Sequence, residues 1–575
     1  MKQRIIDVDL GRRSVSEREV PAELRHLGGR ALTSTLISRE VDPTVNPLSA
    51  GNLLIIAPGL LAGSPLSSCN RLSAGAKSPL TGTIKEANSG GVVAQKLGRL
   101  GIKALVLRGA VSGAAPSVAP VRGVTVGLRV SAEGVTFEDL SELQGLSVYE
   151  TAETLRGRYG ERAGFVITGP AGEMRLPTAC LSVTDPEGEP CRNLGRGGLG
   201  AVAGSKGLKA IIVNDAGAKL EPHDPEGLRD LVKRFTKALR MHPVTGERFA
   251  LYGTTMTLMN VNTLGGLPTR NFSSGSFEGA ENLSGETLYD TITSRGGDHA
   301  HACMPGCVIR CSNKYVDARG IPVVGSLDYE TVCLLGANIG LGNLDQVAVL
   351  NKLCNDIGVD TMETGVALGV LAEAGVFSFG DFESARGLIG EIGRGTPLGR
   401  LVGSGSVACG RAYGVERVPA VKGQGMAAYD PRAIKGMGLT YALSPMGADH
   451  TAGNAITLAV DHLDPKAQLE PVRELHAKTM VLDTLGVCLF TGRVSLAQPE
   501  LLAEAVKVIT GWKVSFEELV ELGHELLLLE RDFNRRAGFT AAHDRIPEFM
   551  RREPLEPNRS VYDVTEDDEQ RFYRE

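Results

Sequence analysis

Glycine is the feature that most restricts this chain. It supplies 72 of 575 residues, where an average protein of that length would hold roughly 40. It recurs inside runs such as Gly195-Arg196-Gly197-Gly198-Leu199-Gly200 rather than in a flexible linker. A residue without a Cβ lets backbone approach a neighbour or a large ligand closely. The chain therefore reads as a scaffold whose backbone closes on something bulky.

Composition narrows the class further. Hydrophobic residues make up 42% and charged residues 22%, ordinary values for a globular protein and too rich in apolar side chains for a disordered one. The length suggests about three or four domains. A net charge of −6 and a 5% share of aromatics, with Trp512 alone of its kind, exclude a nucleic-acid surface. The first ten residues carry Asp7 and Asp9 and no apolar export core. The best apolar run, 53–62, is interrupted by proline and glycine and falls short of the roughly 18 residues of a membrane span. The expectation is a cytoplasmic protein with no membrane span, whose ten cysteines hold metal more readily than disulfides.

Hydrophobic periodicity predicts an α+β chain. Short Ile/Val/Leu-rich runs at 3–8, 53–57, 104–108, 164–168 and 210–213 read as strands bounded by glycine, proline or aspartate. Helical spacing takes over at 225–239 and continues at 328–340, 345–357, 362–374, 500–509 and 516–534. Glycine and proline at 393–397 and 419–431 mark a boundary near 415. The reading is a β-rich domain over 1–212 followed by two mainly helical domains, 213–415 and 416–575. The charged segment 563–575 reads as a mobile end. One short pattern recurs: Asn355-Asp356-Ile357-Gly358-Val359-Asp360 and Asp483-Thr484-Leu485-Gly486-Val487-Cys488, each after a helical stretch. Two such loops suit two similar ligands.

Cys303, Cys307 and Cys311 stand in Cys-Met-Pro-Gly-Cys-Val-Ile-Arg-Cys. Three thiolates so close in sequence can converge on one metal assembly, and an iron–sulfur cluster takes its fourth ligand from elsewhere. Zinc sites show paired cysteines with a second pair or histidines. The bland alternative is three buried thiols on one helix face, which Pro305-Gly306 interrupts. The remaining scattered cysteines, Cys69 among them, read as packed thiols. Gly195, Gly197 and Gly200, with Asp215 downstream, imitate a dinucleotide fingerprint. Residues 186–193 look turn-like rather than strand-like, and 201–209 too glycine-rich for a good helix, so the fingerprint fails. What remains is an anion-cradling loop with Arg196, Lys206 and Lys209 supplying charge.

Together these motifs resemble the aldehyde:ferredoxin oxidoreductase family. The resemblance rests on Lys77-Ser78-Pro79-Leu80-Thr81-Gly82 with Asn88-Ser89-Gly90-Gly91, and on Gly169-Pro170-Ala171-Gly172-Glu173 with the glycine run at 195. Ser444-Pro445-Met446-Gly447-Ala448-Asp449-His450-Thr451 and Phe533-Asn534-Arg535-Arg536-Ala537-Gly538-Phe539 complete it. It implies two pterins chelating tungsten or molybdenum, a magnesium bridging their phosphates, and one [4Fe–4S] cluster. By resemblance Arg71, Asn88 and Gly90 meet the first phosphates and magnesium; Arg196, Gly197 and Leu199 meet the second set. Asn355 and Asp360 hold one pterin, and Asp483 and Val487 the other. Cys488 is the distant fourth cluster ligand beside Cys303, Cys307 and Cys311. The usual family spacing is C-x₂-C-x₃-C, so Met304-Pro305-Gly306 adds a residue. The E-x-x-H iron motif found between subunits in some members is absent after Leu327, and a homodimer stays open.

The resemblance also makes Glu330 and His450 the acid–base pair beside the metal. Glu330 would take a proton from an attacking water, and His450 would hydrogen-bond the carbonyl or oxo oxygen. Taken alone, Glu330 fits a helix-start dipole partner and His450 a neighbour satisfied by Asp449. The implied activity is oxidation of a small aldehyde to an acid, with electrons passing to ferredoxin or another iron–sulfur subunit. Two alternatives remain: the catalytic subunit of a larger complex reducing a thioester, acid or aromatic ring, and a non-catalytic electron carrier.

Overall fold

The computed structural model describes residues 3–112 and 125–573. Its N-terminal part builds two six-stranded sheets. The first contains β1 (Arg4–Asp9), β2 (Ser14–Glu19), β3 (Leu54–Pro58), β4 (Leu72–Lys77), β5 (Ile84–Ser89) and β6 (Ile102–Arg108). The second contains β7 (Val126–Ser131), β8 (Gly134–Asp139), β9 (Gly164–Thr168), β10 (Leu181–Val183), β11 (Arg192–Leu194) and β12 (Leu208–Val213). Strand order is β2-β1-β6-β3-β4-β5 in one and β8-β7-β12-β9-β10-β11 in the other. Only β1/β6 and β7/β12 pair in parallel; every other neighbour is antiparallel. The second sheet thus repeats the first strand for strand.

Alternation along the strands explains how the layers stack. Ile6, Val8, Leu105 and Leu107 of the first sheet share a core with Val166, Ile211 and Val213 of the second. Their sequence neighbours point the other way, as period 2 requires. Ile5, Ala104 and Val106 meet helix Gly29–Glu40, and Phe165, Ile167, Ala210 and Ile212 meet helix Val148–Tyr159. With both faces covered, these strands read as unbroken apolar runs. The order is helix, sheet, sheet, helix. Helix Gly29–Glu40 was not legible in advance, because Gly29 through Ile37 are all buried and no polar face remains to show a helical period.

Helices dominate the rest. Pro225–Met241, Leu344–Ile357, Thr361–Glu373, Glu500–Thr510 and Phe516–Arg536 lie where the spacing predicts them. Local chemistry sets their starts: the Asp224 side chain caps Gly227 N–H with Pro225 in the first turn, and Ser515 with Glu518 forms a capping box. The single helix expected over 328–340 is instead Tyr329–Leu334 and a short 3-10 turn, Ala337–Ile339. The helix is interrupted at Gly336 (φ −110°, ψ −101°), where a Cβ would lie 2.2 Å from the Val332 carbonyl. One core takes in helices on both sides of residue 415, from Leu258 to Phe572. The charged C-terminal segment is docked as far as residue 573, contrary to expectation. Tyr562, Val564 and Phe572 are buried, and Tyr573 Oη donates to Leu443 O at 2.8 Å; residues 574 and 575 lie outside the described part. Among the described residues no single helix is long and apolar enough to cross a membrane.

Candidate active site

The two recurrent loops occupy equivalent places on the duplicated sheets. Helix Leu344–Ile357 ends at Gly358 (φ 79°) and helix Leu469–Leu485 at Gly486 (φ 75°), both left-handed caps that glycine adopts without strain. Gly358 packs on Gly169, which follows β9; Gly486 packs on Gly59, which follows β3. Gly358 O accepts from Cys180 N–H at 2.9 Å and Gly486 O from Arg71 N–H at 3.1 Å. Cys180 and Arg71 immediately precede β10 and β4, so each loop is pinned to its own sheet at the same point. A Cβ on Gly59 would sit 2.1 Å from Gly486 Cα, which no repacking accommodates.

The loop side chains meet polar partners from β11, from the glycine run after it and from helix Gly29–Glu40. Asp360 caps Met362 N–H at 2.9 Å and accepts from Arg196 Nε at 3.0 Å. Arg196 is buried and also donates to Ala448 O (2.8 Å), Gly425 O (2.6 Å) and Glu363 (3.4 Å). Asn355 accepts from Asn193 at 3.0 Å. Asp483 lies 3.5 Å from Arg30, and burial raises its carboxyl against the pull of Arg30 and Arg71. Val487 is buried in the apolar wall. Gly197 (φ 87°) would drive a Cβ into the Lys85 stem at 2.5 Å, and Leu199 opens the helix Leu199–Ser205, fully buried. Several buried polar atoms around the loops have no protein partner: Asn193 Oδ1, Gln424 Oε1, Thr484 Oγ1, Glu330 Oε1 and His450 Nδ1. Buried polar groups are normally satisfied, so unpaired atoms at these positions fit a polar ligand such as a pterin.

The thiols gather on the far side of the second loop. Cys307 and Cys488 are buried in one apolar cluster, with Cys303 and Cys311 packed against it. No helix spans 303–311; Gly306 (φ 76°) and Arg310 (φ 53°) wind a loop. Cys307 is held down to about 6 because Cys303 donates to it, aided by Ser68 Oγ–H and the N–H groups of Arg310 and Ile309. That nest favours a sulfur carrying negative charge. Burial pushes Cys311 and Cys488 up. Gly90 abuts Cys303, a Cβ there meeting its sulfur at 3.2 Å, and Gly91 N–H donates to Cys303 O at 2.8 Å. Among the described residues no three His, Cys, Asp or Glu side chains close on a single-ion position. Four thiols in an apolar pocket suit an iron–sulfur cage. Arg71 joins the two regions: its guanidinium binds Asn88 through Oδ1 and, at 3.2 Å, through the carbonyl, and its charge lies close enough to Cys488 to oppose the rise that burial imposes on that thiol.

Glu330 and His450 meet beside Arg196. His450 Nε2 is 3.4 Å from Glu330 Oε1, while Ala428 N–H donates to Glu330 Oε2 at 2.7 Å. Burial raises the Glu330 carboxyl, with His450 opposing. His450 Nδ1 stands 4.0 Å from Asp449, which ion-pairs with buried Lys85 and lies in the field of Arg196, so its carboxylate stays charged. Tyr429 flanks the pair, its ring 6.3 Å from the imidazole.

Some sequence expectations change here. Lys206 is spent on Asn52 O (2.6 Å) and Gly109 O (3.1 Å) and Lys209 on Glu173, so only Arg196 of the three cations faces the site. The glycine run does start a helix and does follow a strand. That strand, β11, is an antiparallel edge of three residues, so the dinucleotide geometry is still absent, and Asp215 serves Lys96 and Arg99. Asn193, Lys85, Arg30 and Ser68 went unnoticed in the sequence. Asn193 had a signal: it pairs with Ser182 as Asn88 pairs with Ser73, one of the duplicated positions.

The family models for the aldehyde ferredoxin oxidoreductase N-terminal domain and for its domains 2 and 3 match residues 5–215 and 230–575. The tungsten-containing aldehyde ferredoxin oxidoreductase of Pyrococcus furiosus is 32% identical over 585 residues, covering 96% of this chain and 92% of that one. Its namesake from Thermococcus kodakarensis is 31% identical with the same coverage, 96% and 92%. The WOR-like subunit of the aliphatic sulfonate oxidoreductase of Pyrococcus furiosus is 25% identical, over 79% of this chain and 75% of its own. Among solved structures, the active-site complex BamBC of benzoyl coenzyme A reductase with 1,5-dienoyl-CoA superposes at a TM-score of 0.80 and 19% identity, covering 99% of this chain and 93% of that one. That likeness speaks for the fold.

Proposed function

The chain belongs to the aldehyde ferredoxin oxidoreductase family, and on that premise we propose that it oxidises an aldehyde to a carboxylic acid at a tungsten bis-pterin centre, passing electrons through one [4Fe–4S] cluster to ferredoxin or a similar carrier. The observation that carries the reading is the position of Arg71, which holds Asn88 on one side and faces Cys488 on the other. Arg71, Asn88 and Gly90 would receive the phosphates and magnesium of one pterin, and Arg196, Gly197 and Leu199 those of the other. Asp483 and Val487, and Asn355 and Asp360, would hold the two pterin ring systems. Cys303, Cys307, Cys311 and Cys488 would ligate the cluster.

When bound, the metal supplies a Lewis acid and a two-electron acceptor. The net change adds one water oxygen to the aldehyde and releases two protons and two electrons. Glu330 takes one proton on Oε1, which makes no hydrogen bond and lies 3.4 Å from His450 Nε2, while Ala428 N–H fixes the other oxygen. Burial raises its pKa, with His450 opposing, which makes the carboxylate a stronger base than an exposed glutamate. His450 donates from the same pocket, and Asp449, clamped by Lys85, keeps the histidine segment in place. Burial of the pair keeps bulk water from competing for these hydrogen bonds.

The test is elemental analysis of anaerobically purified protein followed by a dye-coupled aldehyde panel. Tungsten, about four iron atoms per chain and turnover of at least one aldehyde are expected. Protein without iron and without a group-6 metal, or metal-replete protein inert to every aldehyde, sinks the reading.

A further inference from the structure

Residues 64–70 form a loop, buried except at Pro65, wedged between the two sources of cluster cysteines. Asn70 braces it, accepting from Gly63 N–H at 2.8 Å and donating to Ser64 O at 3.2 Å. Ser68, with no exposed surface, touches both halves of the thiol set. Its carbonyl accepts from Cys488 N–H at 2.8 Å, and its hydroxyl lies 3.3 Å from Cys307 Sγ, to which it donates. Ser67 Oγ accepts from Val308 N–H at 3.1 Å and sits 3.3 Å from Ser68 Oγ. It can therefore give its own hydrogen to Ser68 and leave the Ser68 hydrogen for the sulfur. Ser68 holds this position at φ 59°, a conformation disfavoured for any residue with a Cβ. Glycine would be the undemanding choice for such a backbone. A serine there, with its hydroxyl on a ligand sulfur, points to a purpose for the hydroxyl.

We propose that Ser68 is a positioning residue that raises the reduction potential of the iron–sulfur cluster by hydrogen-bonding the Cys307 sulfur. The inference rests on the cluster reading above. Reduction adds one electron to the cage, and that charge is shared by the thiolate sulfurs. A donor aimed at one of them stabilises the reduced form more than the oxidised form. A dry, low-dielectric surrounding strengthens the effect. Cys69, the next residue, also approaches Cys307 and Cys488, yet its thiol donates to Ser67 O at 3.2 Å and is turned to the loop instead.

The experiment is an EPR-monitored redox titration of the intact, metal-loaded protein with Ser68→Ala and Ser68→Gly. Alanine removes the hydroxyl and keeps the backbone demand; glycine removes both. Both variants are expected to lower the midpoint by about 60 mV, a tenfold change in the reduced-to-oxidised ratio for a one-electron couple. An unchanged midpoint in iron-replete variants overturns the proposal, and so does a shift in one variant alone, which would assign the effect to the backbone. If the wild-type protein carries no iron, the cluster reading itself has failed.

Discussion

Glu330→Gln separates chemistry from architecture at the proposed site. Glutamine is isosteric, and its remaining carbonyl oxygen can still accept from Ala428 N–H, the 2.7 Å bond that holds the side chain. Its amide can face His450 where Oε1 stood 3.4 Å away. Folding, tungsten content and iron content should therefore match wild type. What disappears is the acceptor for the proton of the attacking water. A positioned general base contributes about 10²–10⁴-fold, or about 3–5 kcal/mol of barrier at 1.36 kcal/mol per tenfold. The side chain is only 13% exposed, so solvent cannot readily substitute, and the expected fall in kcat lies toward the upper end. The pH profile adds a second signature. Burial raises the Glu330 pKa, so at low pH the group is protonated and cannot act as a base. Wild-type kcat/KM should rise with pH through a value above the ordinary glutamate range of about 4.3, and the variant should lose that limb. The assay is anaerobic dye reduction with an aldehyde, normalised to tungsten. A metal-replete variant with wild-type kcat, or one retaining the acid limb, would refute the assignment.

Three further outcomes follow from the geometry. Cys303→Ser should cut iron to well below four atoms per chain, whereas Cys69→Ser should leave iron unchanged, since that thiol is occupied by Ser67 O; iron analysis and EPR decide. Gly358→Ala and Gly486→Ala each place a Cβ against backbone, 3.1 Å from Gly169 Cα and 2.7 Å from Gly59 Cα, at a left-handed cap costing about 1–2 kcal/mol. Both should lose tungsten, but only Gly486→Ala should also lose iron, because its loop alone leads into Cys488; equal iron loss in both would contradict the loop assignment. His476 is buried and its pKa is depressed from 6.5 to about 3, so it folds neutral while the unfolded chain binds a proton. Its contribution to stability is full above pH 6.5 and is lost toward pH 3, at about 1.4 kcal/mol per unit; denaturant unfolding of His476→Gln should show a shallower acid loss.

The main amphipathic helices and five apolar strands, β1, β3, β6, β9 and β12, were legible because each is a local matter of period, capping and β-branched runs, whereas the other seven strands of the two sheets carry no such run. Pro225–Met241 and Gly164–Thr168 follow directly from spacing. So were the loop at Cys303–Cys311, broken by Pro305-Gly306, and the paired glycine loops. Long-range order was another matter. Helix Gly29–Glu40 left no pattern because it is covered on all sides, and the duplication of the sheets resides in strand order, which composition does not record. Arg196, Lys206 and Lys209 look alike as cations near one glycine run. Only the packed chain turns the first toward Asp360 and Glu363 and buries the other two elsewhere. Likewise Ser68 is unremarkable in the primary structure until Cys307 and Cys488 close on it from opposite sides. Periodicity is set by neighbours three or four residues away, so it survives in a string of letters. The direction in which a buried polar group finds its partner depends on which distant element covers it, and that is settled only when the layers meet.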